Sequence, residues 1–116
     1  MEVEVAEGYV LIRAGDQLDA EVIDEAIQRL RRNPLISAST PTLLDLRSVS
    51  HLALDVEAIR GYSQQFNPTD NLKLVIVASD DLIFGMARLF QSELRSDRVQ
   101  CKIFQDFYLA LSWVRH

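Results

Sequence analysis

The sequence predicts an α/β domain built on a mostly parallel mixed sheet of about five strands, with an N-terminal hairpin and about four helices. Three observations carry this expectation. Leu72–Ala78 (LKLVIVA) is an almost unbroken apolar run, the pattern of a central strand covered on both faces. From Ala20 onward, strand-like runs alternate with stretches of helical periodicity, which is how parallel strands joined by crossover helices read. Ahead of them, two short β-like segments flank Gly8 and read as a hairpin.

Each element has its own signal. Met1–Val5 alternates, with Val3 and Val5 on one face, and Tyr9–Ile12 (YVLI) follows as the second arm of the hairpin. Asp16 and Asp19 offer caps for a helix over Ala20–Arg32. Val22, Ile23, Ala26, Ile27 and Leu30 fall on one stripe of that helix. Arg29, Arg31 and Arg32 sit in its last turn, where cations complement the helix dipole, and Pro34 stops it. Pro41–Leu46 (PTLLDL) fits a short buried strand. Asp55 caps a helix over Val56–Phe66, with Val56, Ile59, Tyr62 and Phe66 inward. The loop over Asn67–Asn71 is dense in turn formers. After the central strand, Ser79 and Asp80 cap a helix over Asp81–Leu94. Val99–Phe104 (VQCKIF) is the last strand, and Asp106 caps a terminal helix with Phe107, Ala110, Leu111 and Val114 inward. No repeat, low-complexity tract or linker divides the chain, so residues 1–116 read as a single domain.

Composition narrows the function. The chain has 116 residues, 48% of them apolar and 25% charged, enough to bury a core without disulfides or metals. A formal net charge of −5 argues against nucleic acid as a partner, since phosphate backbones are bound by clustered Lys and Arg. The same charge disfavours adsorption to anionic membranes. No apolar run approaches the ~20 residues of a transmembrane segment. The start of the chain (MEVEVAEG) lacks the pattern of a signal peptide, and Cys101 is the single cysteine. A reducing, cytoplasmic setting is the expectation.

The stretches LLDLRSVSHL, LVIVASDDLIFGMARLF and IFQDFYLALSWV, with F-G-x-A-R at Phe84–Arg88 and A-L-x-W at Ala110–Trp113, resemble the bacterial STAS-like, or SpoIIAA-like, family. The family groups around anti-sigma-factor antagonists and lies near the CRAL-TRIO lipid carriers. The resemblance covers nearly the whole chain. It implies a small α/β domain, usually without catalysis, that works by protein interaction. STAS switches carry D-S-[SA]-G, whose first serine receives a phosphate. Aligned on Asp45, Leu46, Val49 and Ser50, that motif falls on Ala53, Leu54, Asp55 and Val56. The acceptor position is then Leu54, which has no hydroxyl. Asp55 reads as a helix cap.

Chemistry-bearing constellations are sparse. Cys101, Ser48 and Ser50, with His51 as base, are the available nucleophiles, but Cys101 lies in a strand facing the core, and sequence adjacency of Ser50 and His51 is not a triad. His51 and His116 lack partners at metal-ligand spacing. Asp45, Asp80 and Asp81 lie at the C-terminal ends of strands, the edge where open α/β sheets bind ligands, and are weak metal candidates; caps explain Asp80 and Asp81 without a metal. Four scattered glycines form no phosphate cradle, and no cofactor is implied.

The helix DLIFGMARLFQSEL raises the remaining question. At roughly 100° per residue, Leu82, Ile83, Met86, Ala87, Leu89, Phe90 and Leu94 gather on one side, and Arg88, Gln91, Ser92 and Arg95 on the other. Phe84 falls on the polar side, and Gly85 lies off the apolar stripe. Phe84, Gly85 and Arg88 are therefore the candidate contact surface. It would serve a second copy in a homodimer, another protein, or a small apolar molecule. For an apolar ligand, Tyr62, Phe66, Met86, Phe90 and Trp113 could join Phe84, although all five serve equally well as core. Alternatively, Phe84 folds back onto Tyr9, Leu18 or a neighbouring loop.

Overall fold

The structure, a computed structural model, describes residues 1–37, 39–65, 72–94 and 99–116. Along the chain run β1 (Glu2–Ala6), β2 (Tyr9–Arg13), β3 (Gln17–Asp19), α1 (Ala20–Arg32), β4 (Thr42–Asp45), β5 (His51–Ala53), α2 (Val56–Ser63), β6 (Leu72–Val77), α3 (Asp81–Glu93), β7 (Val99–Phe104) and α4 (Phe107–Arg115). Phe66 and the loop over 67–71, expected to end α2 and turn the chain, lie outside the described residues.

The hairpin forms as expected. Ala6 pairs with Tyr9 across an antiparallel ladder, so Glu7 and Gly8 alone make the turn. Gly8 has φ +87°, a conformation that glycine adopts without steric cost. From β2 onward the main sheet is parallel, in the order β1-β2-β4-β6-β7. Every crossover steps to the neighbouring strand in the same direction. Right-handed crossovers that all step one way place their helices on one face, and α1, α2 and α3 stand together there. The opposite face is left to α4.

The strands divide their side chains accordingly. On β6, Leu74 and Ile76 face the three helices, while Val75 and Val77 face α4. Leu43 and Leu11 join the α4 side, where Ala110 and Val114 seal the contact. Cations hold α4 along its length. Arg47 lies 4.4 Å over the Phe107 ring, and Lys73 lies 4.7 Å over Trp113 while donating to the Trp113 carbonyl at 3.0 Å.

Aspartates cap all four helices. Asp19 accepts from the Val22 N–H, Asp55 from Ala58, Asp80 from Leu82 and Ile83, and Asp106 from Tyr108 and Leu109. Each answers backbone donors that the first turn cannot satisfy.

One feature departs from expectation. β3 and β5 pair in parallel as a separate two-stranded sheet, where the sequence suggested only loop and cap. Strands of three residues have no room to show alternation. The ladder brings Leu18 opposite Leu52.

Candidate functional site

Between α1, α2, α3 and the main sheet lies a cavity of about 590 Å³. Ile23, Ala26, Ile27 and Leu30 of α1 form its roof. Ile12, Leu44, Leu74 and Ile76 form its floor, and Ile59, Met86, Ala87 and Phe90 close its sides. The lining is overwhelmingly aliphatic. The recess is far larger than the water-sized voids that packed interiors leave. Along the apolar stripe of α1, expected to be buried throughout, only Ala26 is fully buried. Val22, Ile23, Ile27 and Leu30 are half-buried: Ile23, Ile27 and Leu30 line the recess, and Val22 packs against the core beside Ile23.

The two ends of the cavity differ. Leu18, Leu46, Leu52, Leu54 and Ile83 lie at the edge where the parallel strands end. Leu18, Leu46 and Ile83 are buried. Arg31, Ser37, Thr42 and Gln65 lie at the opposite edge, where β4 and β6 begin. Arg31, Ser37 and Gln65 are exposed to solvent. Tyr62, also in the lining, ties α2 to the first turns of α1: its hydroxyl lies 3.0 Å from Asp24 Oδ1 and 3.3 Å from the Ala20 carbonyl oxygen. Burial and then the Asp24 hydrogen bond raise the Tyr62 pKa, so the phenol stays protonated and the tie holds across the neutral range.

The sequence candidates fall elsewhere. Asp45 ends β4, only 6% exposed, and both of its oxygens accept from the Arg47 guanidinium at 2.9 Å. Burial raises its pKa, but the Arg47 hydrogen bonds and charge, with Arg13 adding its charge, outweigh that and hold the carboxyl below the usual value. Asp80 is occupied as the α3 cap, and Asp81 is exposed in the first turn. Among the described residues no group of carboxylates, histidines and cysteines is placed to hold a metal ion. Ser50 Oγ lies 3.1 Å from His51 Nδ1, but both residues are exposed and no carboxylate among the described residues orients the imidazole. Burial pushes the Cys101 thiol up to about 12. It is therefore protonated at neutral pH and not a nucleophile.

Phe84 is half-buried and packs against the core on the three-helix face. The Arg88 guanidinium carbon lies 5.9 Å from its ring centre. Gly85 is exposed, and a Cβ added there would meet open space. Leu82, assigned to the core side of the wheel, is 64% exposed instead, because it lies roughly 100° round the helix from the buried stripe of Ile83 and Ala87. Of the aromatic and Met residues considered for an apolar pocket, Tyr62, Met86 and Phe90 line the cavity. Trp113 packs with α4 on the other side of the sheet. The cavity itself left no trace in the sequence, since its wall residues carry the same pattern as packed core.

The architecture is that of a SpoIIAA-like α/β protein. The chain is similar to the crystal structure of an uncharacterized protein of the DUF3478 family with a SpoIIAA-like fold, from Shewanella loihica PV-4. The TM-score is 0.58 at 20% sequence identity, over 97% of this chain and 90% of that one. At this identity the likeness is one of fold. No family model and no curated protein matches the sequence. No helix among the described residues is long and apolar enough to cross a membrane.

Proposed function

We propose that this protein is a non-enzymatic carrier or sensor of a small apolar, lipid-like ligand, acting as one domain over residues 1–116. The observation that carries this reading is the 590 Å³ cavity walled by aliphatic side chains. Binding sites for small organic ligands are apolar recesses of about 300–1,000 Å³ with a few polar groups at defined places, and this cavity matches on both counts. The neutral dye Nile red tests it directly. One dye per chain is expected, with blue-shifted emission. Ala26→Phe, which fills the cavity from α1, is expected to abolish binding while leaving the circular dichroism spectrum intact. Dye binding that survives this substitution places the site elsewhere.

A second reading has its own support. The start of α3 presents exposed Leu82 beside exposed Gly85, with Arg88 one turn on. This surface, with the edge of Phe84, would suit a protein contact, either a second copy or another chain. Leu82→Glu then reduces the assembly mass measured by light scattering. An unchanged mass removes this reading. Phe84→Glu is a poorer test, because Phe84 also supports the core.

A further inference from the structure

We infer that the cavity takes a single-chain amphiphile with an anionic head, its tail on the aliphatic floor and its head at Arg31. The inference deepens the carrier reading and rests on it. Three observations lead to it.

The first is volume. The cavity of about 590 Å³ has room for at least one long acyl chain.

The second is polarity along the cavity. At the end where the strands finish the lining is leucines and Ile83, while the end at which β4 and β6 begin carries Arg31, Ser37, Thr42 and Gln65. A molecule wholly apolar would leave that polar end unmatched. An amphiphile seats its tail at the apolar end and keeps its head at the polar one.

The third is charge. Among the described lining residues Arg31 is the one cationic side chain, and neither Asp nor Glu accompanies it. Its polar neighbours are mostly committed. Ser37 Oγ meets Thr40 Oγ1 at 3.2 Å, and Thr42 Oγ1 donates to the Thr40 carbonyl at 3.1 Å. Arg32, the next residue, donates to Gln28, and Arg29 donates to the Met1 carbonyl. Arg31 has no hydrogen-bond or ion-pair partner among the described residues. A guanidinium at the mouth of an apolar cavity, with no carboxylate of its own, fits a carboxylate or phosphomonoester head through paired N–H donors.

Calorimetric titration separates the possibilities. Palmitate, hexadecanol and a lysophosphatidic acid are titrated into the intact protein, into Arg31→Gln and into Arg32→Gln. The last carries the same charge change one residue away. Palmitate or the lysophosphatidic acid is expected to bind at least about tenfold more tightly than hexadecanol, the low end for a charge-assisted hydrogen bond. The tighter of the two names the head. Arg31→Gln is expected to erase the advantage and leave hexadecanol unaffected, whereas Arg32→Gln retains it. Hexadecanol binding as tightly as both acids, or an advantage that survives Arg31→Gln, overturns the head assignment and leaves the carrier reading standing. No binding of any of the three, in a protein that also fails to take up Nile red, overturns both.

Discussion

Asp45 is the one buried charged residue among those described, and Arg47 accounts for its ionisation. Its carboxyl titrates below the ordinary value of 3.8. The stabilisation it provides is thus complete above that pH and is lost as pH falls through the lower folded value. Asp45→Asn is expected to cost about 1–2 kcal/mol in urea unfolding at neutral pH, given that Arg47 is partly exposed. The gap between variant and parent is expected to close under acid below pH 3.8. A gap that persists unchanged there assigns the loss to packing instead. Cys101 makes a simpler case. With its thiol pushed up to about 12, it is expected to resist a thiol reagent at pH 8 in the folded protein and to react fully in urea. Fast labelling without denaturant would mean that β7 is far more open than described. Tyr62 gives a third expectation. Tyr62→Phe removes the tie to Asp24 and Ala20 and is expected to cost about 1 kcal/mol, read as a lower unfolding midpoint.

At the scale of elements, local chemistry and periodicity were strong guides. The Asp19 cap and the arginine-rich last turn bound α1 at Ala20–Arg32, as the sequence indicates. β7 spans Val99–Phe104 as expected. The parallel side ladder of β3 and β5 was not legible, because three-residue strands are decided by the partners that tertiary packing supplies. The α3 wheel placed Ile83 and Ala87 inward correctly but misplaced Leu82. The side drawn from the apolar residues was too broad: the buried stripe centres on Ile83 and Ala87, and Leu82 lies at its far margin. Gly85 carries a prediction here. It sits inside a helix with open space where a Cβ would go. Gly85→Ala is expected to raise stability by up to ~1 kcal/mol, seen as a higher melting temperature. A loss of stability that grows with protein concentration would instead indicate that a partner's surface closes over this position.

At the scale of the molecule, topology makes the cavity. Three crossover helices share one face, and α1 roofs a space over the sheet. No single residue announces this, since Ile23, Ile27 and Leu30 read as core in any helix. The sequence pointed to Phe84, Gly85 and Arg88, with the strand-end carboxylates as weak candidates, whereas the cavity's Arg31, Ser37, Thr42 and Gln65 lie at the edge where the strands begin. Trp113, on the α4 side, is expected to be a silent reporter of cavity occupancy. The central claim is that this space is a binding site. The measurement that tests it most directly is an amide-resolved NMR titration with palmitate. The account predicts saturable shifts at Ile23–Leu30, Leu52–Ile59 and Ile83–Phe90, with Ala110–Val114 unmoved. Saturating palmitate that leaves those three segments unchanged, or shifts α4 alone, would contradict it.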